Sequence, residues 1–182
     1  MIESEVSLST HPKLKRTILI EGLPGIGLVA NTATAHLIRE LKAKKFGEIR
    51  SPFFQDFAIT GSNGEIQTPT VELYYSKLDK SHHDLLFIQG NTQALTPYGQ
   101  YELCGKIVEV AQDFNCYLIA CMGGLRKKDT SIPPKVYCAA LDFTILNKIL
   151  AYNLDVVGVP ISGAAGLLMG LGKLRGIPGF AF

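Results

Sequence analysis

Three short apolar runs limit what this chain can fold into more than any other feature: Arg16–Gly22 (RTILIEG), Asp84–Gly90 (DLLFIQG) and Cys116–Cys121 (CYLIAC). Each is continuous rather than alternating, so each reads as a strand buried on both faces. The first passes straight into a helical repeat. Ile26, Val29, Ala33, Leu37 and Leu41 recur at three- and four-residue steps, with Arg39, Glu40, Lys42 and Lys44 toward the far end, which predicts a helix from about Gly25 to Ala43. After the second run, Thr96 followed by Pro97 reads as a helix start: the hydroxyl can cap a backbone N–H, and proline needs no donor at the first helical position. That helix is expected to run to about Phe114. Strands coupled this tightly to helices predict an α/β fold, a three-layer sandwich with a mostly parallel central sheet.

The remaining segments are weaker signals. Phe46–Ser51, Phe57–Gly61 and Val71–Ser76 predict a β-meander or hairpin, with a polar turn at Ser62, Asn63 and Gly64. Arg126–Pro134 is a charged loop bounded by proline, and Val136–Ala140 is a candidate short strand. Phe143, Leu146, Ile149 and Leu150 mark an amphipathic helix, and Asp155–Pro160 another strand. Gly163, Gly166 and Gly170 then recur at helical spacing, a smooth stripe that would let a helix lie close on the sheet. Residues 1–15 read as a polar leader and 16–182 as a single α/β domain, with no internal repeat or linker.

Composition excludes several classes of function. Hydrophobic residues make up 47% of the 182 positions and charged ones 19%, the balance of a large packed core. The formal net charge of +2 gives no field that calls for a polyanion, and the basic clusters are not interleaved with base-stacking aromatics, so no nucleic-acid partner is expected. Cys104, Cys116, Cys121 and Cys138 contain no C-x-x-C pair, which points to a reducing, cytoplasmic location. Glu3 and Glu5 stand where a secretory leader needs positive charge. The uncharged stretch Val156–Gly172 is interrupted by Pro160 and glycines and falls short of the ~20 apolar residues of a membrane span.

Candidate chemistry is sparse. Gly22, Gly25 and Gly27 in GLPGIG join a strand to a helix, where backbone N–H groups can hold an anion. The spacing fits neither the dinucleotide nor the phosphate-loop pattern, since Leu28 and Val29 stand where Lys and Ser or Thr belong, so a tight turn is the favoured reading. Cys121 ends a buried strand just before Gly123 and Gly124, in the position of an exposed nucleophile, but no base is visible beside it and a core thiol is expected. His82, His83 and Asp84 are adjacent rather than convergent and read as a solvated turn. No G-x-S-x-G elbow is present. No catalytic residue, metal or cofactor is therefore expected. Candidates for lining a pocket or shaping turns are Gly25, Gly27, Gln93, Gly123, Gly124, Gly163 and Gly166.

Taken in order, EGLPGIGLVAN at Glu21–Asn31, PYGQYEL at Pro97–Leu103, MGG at Met122–Gly124 and SGAAGLLMGLGKLRGIPG at Ser162–Gly179, together with KFGEIRSPFF and VELYYS, resemble the proteasome assembly chaperone 2 family. Some archaeal members of that family carry an ATP-grasp label. The resemblance covers nearly everything from Ile18 to Phe182. It implies a three-layer fold of the nucleoside phosphorylase or nucleoside hydrolase kind, homo-oligomerisation, and binding to proteasome α subunits while their ring forms. It implies no catalytic residue, and it makes the matching glycines positions of backbone geometry and packing. The family usually continues for tens of residues past the GIPG segment, and docking members end in a hydrophobic-Tyr-X tail. This sequence ends Phe180, Ala181, Phe182, so that segment is expected to be lacking and docking through a tail to be lost. The aromatic cluster Phe53, Phe54, Phe57, Tyr74 and Tyr75 exceeds the needs of one sheet face and independently favours a homo-oligomer. The competing class is a small-molecule enzyme, ATP-dependent or phosphorylase-like, built on the glycine loops.

Overall fold

The computed structural model describes residues 2–126, 131 and 133–182. In chain order they form β1 (Glu5–Leu8), β2 (Thr17–Gly22), a 3-10 turn at Ile26–Leu28, α1 (Val29–Glu40), β3 (Lys44–Arg50), β4 (Ile59–Thr60), β5 (Ile66–Gln67) and β6 (Val71–Ser76). There follow β7 (Leu85–Gly90), α2 (Pro97–Asp113), β8 (Cys116–Cys121), β9 (Tyr137–Ala140), α3 (Phe143–Leu150), β10 (Asp155–Val156), α4 (Gly163–Leu174) and β11 (Gly179–Ala181).

Nine strands make one mixed sheet in the order β1-β3-β6-β7-β2-β8-β11-β9-β10. The predicted buried runs form its centre as β7, β2 and β8, and β11, which the sequence did not announce, joins them; these four strands are mutually parallel. On one side β6, β3 and β1 extend it by antiparallel pairing. On the other, β9 is antiparallel to β11 and parallel to β10. Helices flank the sheet. Leu19 and Gly22 present opposite faces of β2, as strand alternation requires. Leu19 joins the core with Leu103 and Ile107 of α2 and Leu168 of α4, while Gly22 abuts Thr34 of α1 so closely that a Cβ would lie 2.5 Å from the threonine Cβ. No helix of the described residues is long and apolar enough to cross a membrane.

Several sequence expectations change once tertiary contacts are visible. The polar leader contributes an edge strand: β1 pairs with β3, and Ser4 donates from both its backbone N–H and its hydroxyl to the Glu102 carboxylate on α2. The first helix is shorter than its apolar repeat. Gly27 and Leu28 adopt left-handed backbone angles (φ 64° and 53°), no side chain caps the start, and Lys42 (φ 49°) turns the chain into β3. Phe57–Gly61 does not enter a meander. Instead β4 pairs with β5 in a separate ribbon while β3 pairs directly with β6. Only Asp155 and Val156 of the predicted Asp155–Pro160 strand pair, and the chain leaves the sheet before Gly158 and Pro160. In α4 the close approach to the sheet is at Gly172, against Ile119, whereas Gly170 faces open space. Thr96 does cap α2, accepting from the Gly99 N–H at 3.1 Å. Of the predicted loop Arg126–Pro134, residues 127–130 and 132 lie outside the described residues.

Candidate functional site

Parallel strands β2, β8 and β11 end at the same edge of the sheet, and the segments that follow them spread apart there. Such strand ends are where open α/β sheets collect ligands. Leu23 and Gly25 follow β2, Met122–Leu125 follow β8, and Phe182 follows β11; Val136, Val159 and Ser162–Ala165 close the other sides. Between them lies a groove of about 660 Å³, within the roughly 300–1,000 Å³ of small-molecule sites. Its walls are mostly apolar, with Ile26, Val29, Leu125, Val136, Val159 and Phe182 all exposed to it or to solvent.

Glu21 forms its floor. The residue sits in register with Leu19 on the buried side of β2 and is only 2% exposed. Its Oε1 accepts the Leu23 N–H at 2.7 Å, while Oε2 has no hydrogen-bond partner among the described residues. Burial pushes the carboxyl up to about 7; the Leu23 and Met122 amides pull the other way, favouring the ionised form, without closing a bond on Oε2. The carboxyl therefore changes charge near neutral pH.

Gln93 organises the groove's margin. Its Oε1 accepts from Gln100 Nε2 at 2.7 Å and from the Ala164 N–H at 3.1 Å, which caps the start of α4, while its Nε2 donates to the Pro24 carbonyl. One amide thus ties the turn after β2 to both α2 and α4. Gly163, with φ 74°, places the α4 start against it. A Cβ on Gly124 would collide with the Ile26 carbonyl oxygen, so this glycine lets the turn after β8 pack on the turn after β2.

Of the residues singled out in the sequence, Gly25, Gln93, Gly123, Gly124 and Gly163 line the groove. Gly27 and Gly166 do not: Gly27 shapes the 3-10 turn through its positive φ, and Gly166 makes room for the Ile161 carbonyl. Cys121 is fully buried, and burial first, then Glu21 and Cys104, push its thiol well above the usual range, the environment of a core thiol. His83 lies at the opposite end of the strands, stacked on Tyr117 with ring centroids 4.4 Å apart, and Asp84 accepts the backbone N–H groups of Lys15 and Leu78. Among the described residues no three His, Cys, Asp or Glu side chains converge as metal ligands. Glu21 is the residue that reading the sequence passed over. Its signal was a carboxylate inside an otherwise apolar strand, at the same parity as Leu19.

A model of the PAC2 family matches residues 19–182, which includes every strand end and turn that builds the groove. The chain belongs to the PAC2 family. Among its relatives of known structure is Pyrococcus furiosus PbaB, described as an archaeal proteasome activator. The two are 37% identical, with a TM-score of 0.92 over 100% of this chain and 79% of PbaB. P. furiosus PbaA, described as an archaeal homolog of proteasome-assembly chaperone, is 20% identical with a TM-score of 0.75 over 98% of this chain and 74% of its own. That likeness concerns the fold. The Methanocaldococcus jannaschii protein MJ1210 is 34% identical over 168 residues, 91% of this chain, and this PAC2 chain spans 64% of MJ1210's length.

Proposed function

We propose that this chain is a proteasome-assembly-chaperone-like adaptor that binds proteasome α subunits and assists assembly of their ring in the cytoplasm. It acts by surface complementarity rather than by covalent chemistry, and as a homo-oligomer. The observation that carries the link to the proteasome is the agreement with PbaB, described as a proteasome activator, along the whole chain, in sequence as well as in backbone; the α subunits and ring assembly are our extension of it. Surface chemistry supports it. Phe143, the first residue of α3, and Tyr152, just beyond its end, are each 81% exposed, and Leu28 and Val29 at the start of α1 are about half exposed, the aromatic and aliphatic character of protein-binding surfaces.

The test is native mass spectrometry of the chain mixed with purified proteasome α subunits, with β subunits as the control. Complexes with α subunits only are expected, together with faster ring formation. Equal binding to both, or to neither, overturns the proposal.

A further inference from the structure

Adaptor function does not use the buried carboxyl beneath the groove. Glu21 lines the roughly 660 Å³ cavity, its Oε2 is buried without a hydrogen-bond partner among the described residues, and the walls around it are largely aliphatic. A buried polar atom without a partner costs free energy, and an apolar cavity with one well-placed polar group is the usual construction of a small-molecule site. We propose that this groove binds a small organic amine, its apolar body against Ile26, Val29, Val136, Val159 and Phe182 and its ammonium group drawn to the Glu21 carboxylate.

The groups facing the carboxyl select a cation over other heads. Cys104 of α2 and Cys121 of β8 approach it as thiols whose ionisation burial opposes, so they supply no counter-charge. Tyr137 of β9 and Lys135 lie at the rim, and Lys135 is already paired with Asp155 at 2.8 Å. At the start of α4 the Ala164 N–H is taken by Gln93. Two backbone amides thus favour the ionised carboxylate, and among the described residues no cation is paired with it. An ammonium provides both the missing donor and the missing charge. A carboxylate-headed ligand would instead meet a like charge in a site of low polarity.

Proton linkage gives this binding a signature. The empty site titrates at about 7, and an ammonium takes the ionised form. Affinity for an amine that stays protonated should therefore rise about tenfold from about pH 6 to about pH 8, following the ionised fraction of the carboxyl. A neutral ligand accepting a hydrogen bond from the protonated acid would show the reverse.

The experiment is amide NMR of the isotope-labelled chain titrated with hexylamine, with 1-hexanol and hexanoate as controls of equal length. Saturable shifts at Leu23, Met122 and Ala164 with hexylamine alone, a rising pH profile, and at least ~10-fold weaker binding by the near-isosteric Glu21→Gln variant are expected. Equal binding of 1-hexanol or hexanoate, a flat or falling pH profile, or no saturable shift overturns the proposal. So does movement of the same signals on dilution without amine, which would mark the groove as a contact between copies of the chain. If Glu21→Gln fails to fold, the pH profile of the unaltered protein and the two controls still decide.

Discussion

Helix α3 is the more apolar of two helices that meet very different surroundings: five of its eight residues are apolar against eight of seventeen in α2, yet it is the less covered. In α2, Gly99, Leu103, Cys104, Ile107, Val108, Val110 and Ala111 are buried, and with α4 the helix seals one face of the parallel centre of the sheet. In α3 no residue is buried: Ile145, Leu146, Ile149 and Leu150 are half covered by β9 and its neighbours, and Phe143 stands out at the helix start. Helix α1 resembles α3, burying only Ala30 and Thr34. The difference teaches that the fold's stability is concentrated in the α2–α4 layer. The α1 and α3 surfaces retain apolar area for contacts beyond the chain.

The comparison is broken most directly by truncating the sealed layer. Leu103→Ala should cost about 2–5 kcal/mol, as for other fully buried leucines, whereas Leu146→Ala in α3 should cost under half of that; urea midpoints compare them. Equal losses would show that α3 is as much a part of the core as α2.

Glu21 places an ionisable group on the sealed side, and its raised pKa has a definite sign. The folded state holds the proton up to about 7, above the usual 4.5 of a glutamate carboxyl, so it binds more protons than the unfolded chain between those values. Stability should be greatest below that window and fall as pH rises through it, by on the order of 3 kcal/mol from this group alone. Glu21→Gln should flatten that slope. An unchanged slope in the variant would mean that Glu21 is not the group responsible.

One helix offers the same comparison in miniature. In α4, Gly166 lies against the Ile161 backbone and Gly170 faces open space. Gly166→Ala should destabilise by about 1–3 kcal/mol through overpacking, while Gly170→Ala should stabilise by about 0.5–1 kcal/mol by stiffening the unfolded chain. Thermal melts of the two single variants should therefore move in opposite directions.

The smallest expected stability effect is on the open side. Phe143→Ser should change stability by no more than about 0.5 kcal/mol, since the side chain is largely in solvent already. Its predicted consequence is association: light scattering should give a lower mass than for the unaltered chain at equal concentration. A monomer of 19.8 kDa for both would remove α3 as a self-contact and weaken the homo-oligomer proposal.

The centre of the fold was close to legible. Runs at Arg16–Gly22, Asp84–Gly90 and Cys116–Cys121 became β2, β7 and β8 within a residue or two, because a short, unbroken apolar run bounded by turn residues suits a strand covered on both faces. Thr96 and Pro97 marked the start of α2 equally well. The edges were not legible. β1 sits in a polar segment and is held by backbone pairing and by Glu102, neither of which leaves an apolar pattern. β11 is three residues long beside Pro178, too short to show a pattern, yet it pairs with β8 on one side and β9 on the other. At the groove, the glycine turns were visible as turns. The part of Glu21 was not, since a single carboxylate in an apolar run shows neither the groove above it nor which of its oxygens lacks a partner.

By itself, then, the sequence determined the buried strands, the long sealing helix with its cap, and where the chain must turn sharply, because these depend on local periodicity and on residues whose backbone freedom is intrinsic. Only the tertiary structure decided which strands are neighbours, which glycines face a wall or open space, and that Glu21 lies under an apolar groove with one oxygen unmatched. The physical reason is that burial and hydrogen-bond partnership are properties of what arrives from elsewhere in the chain. Gln93 bonds to Pro24, Gln100 and Ala164, partners up to 71 positions away, and no local pattern encodes those meetings.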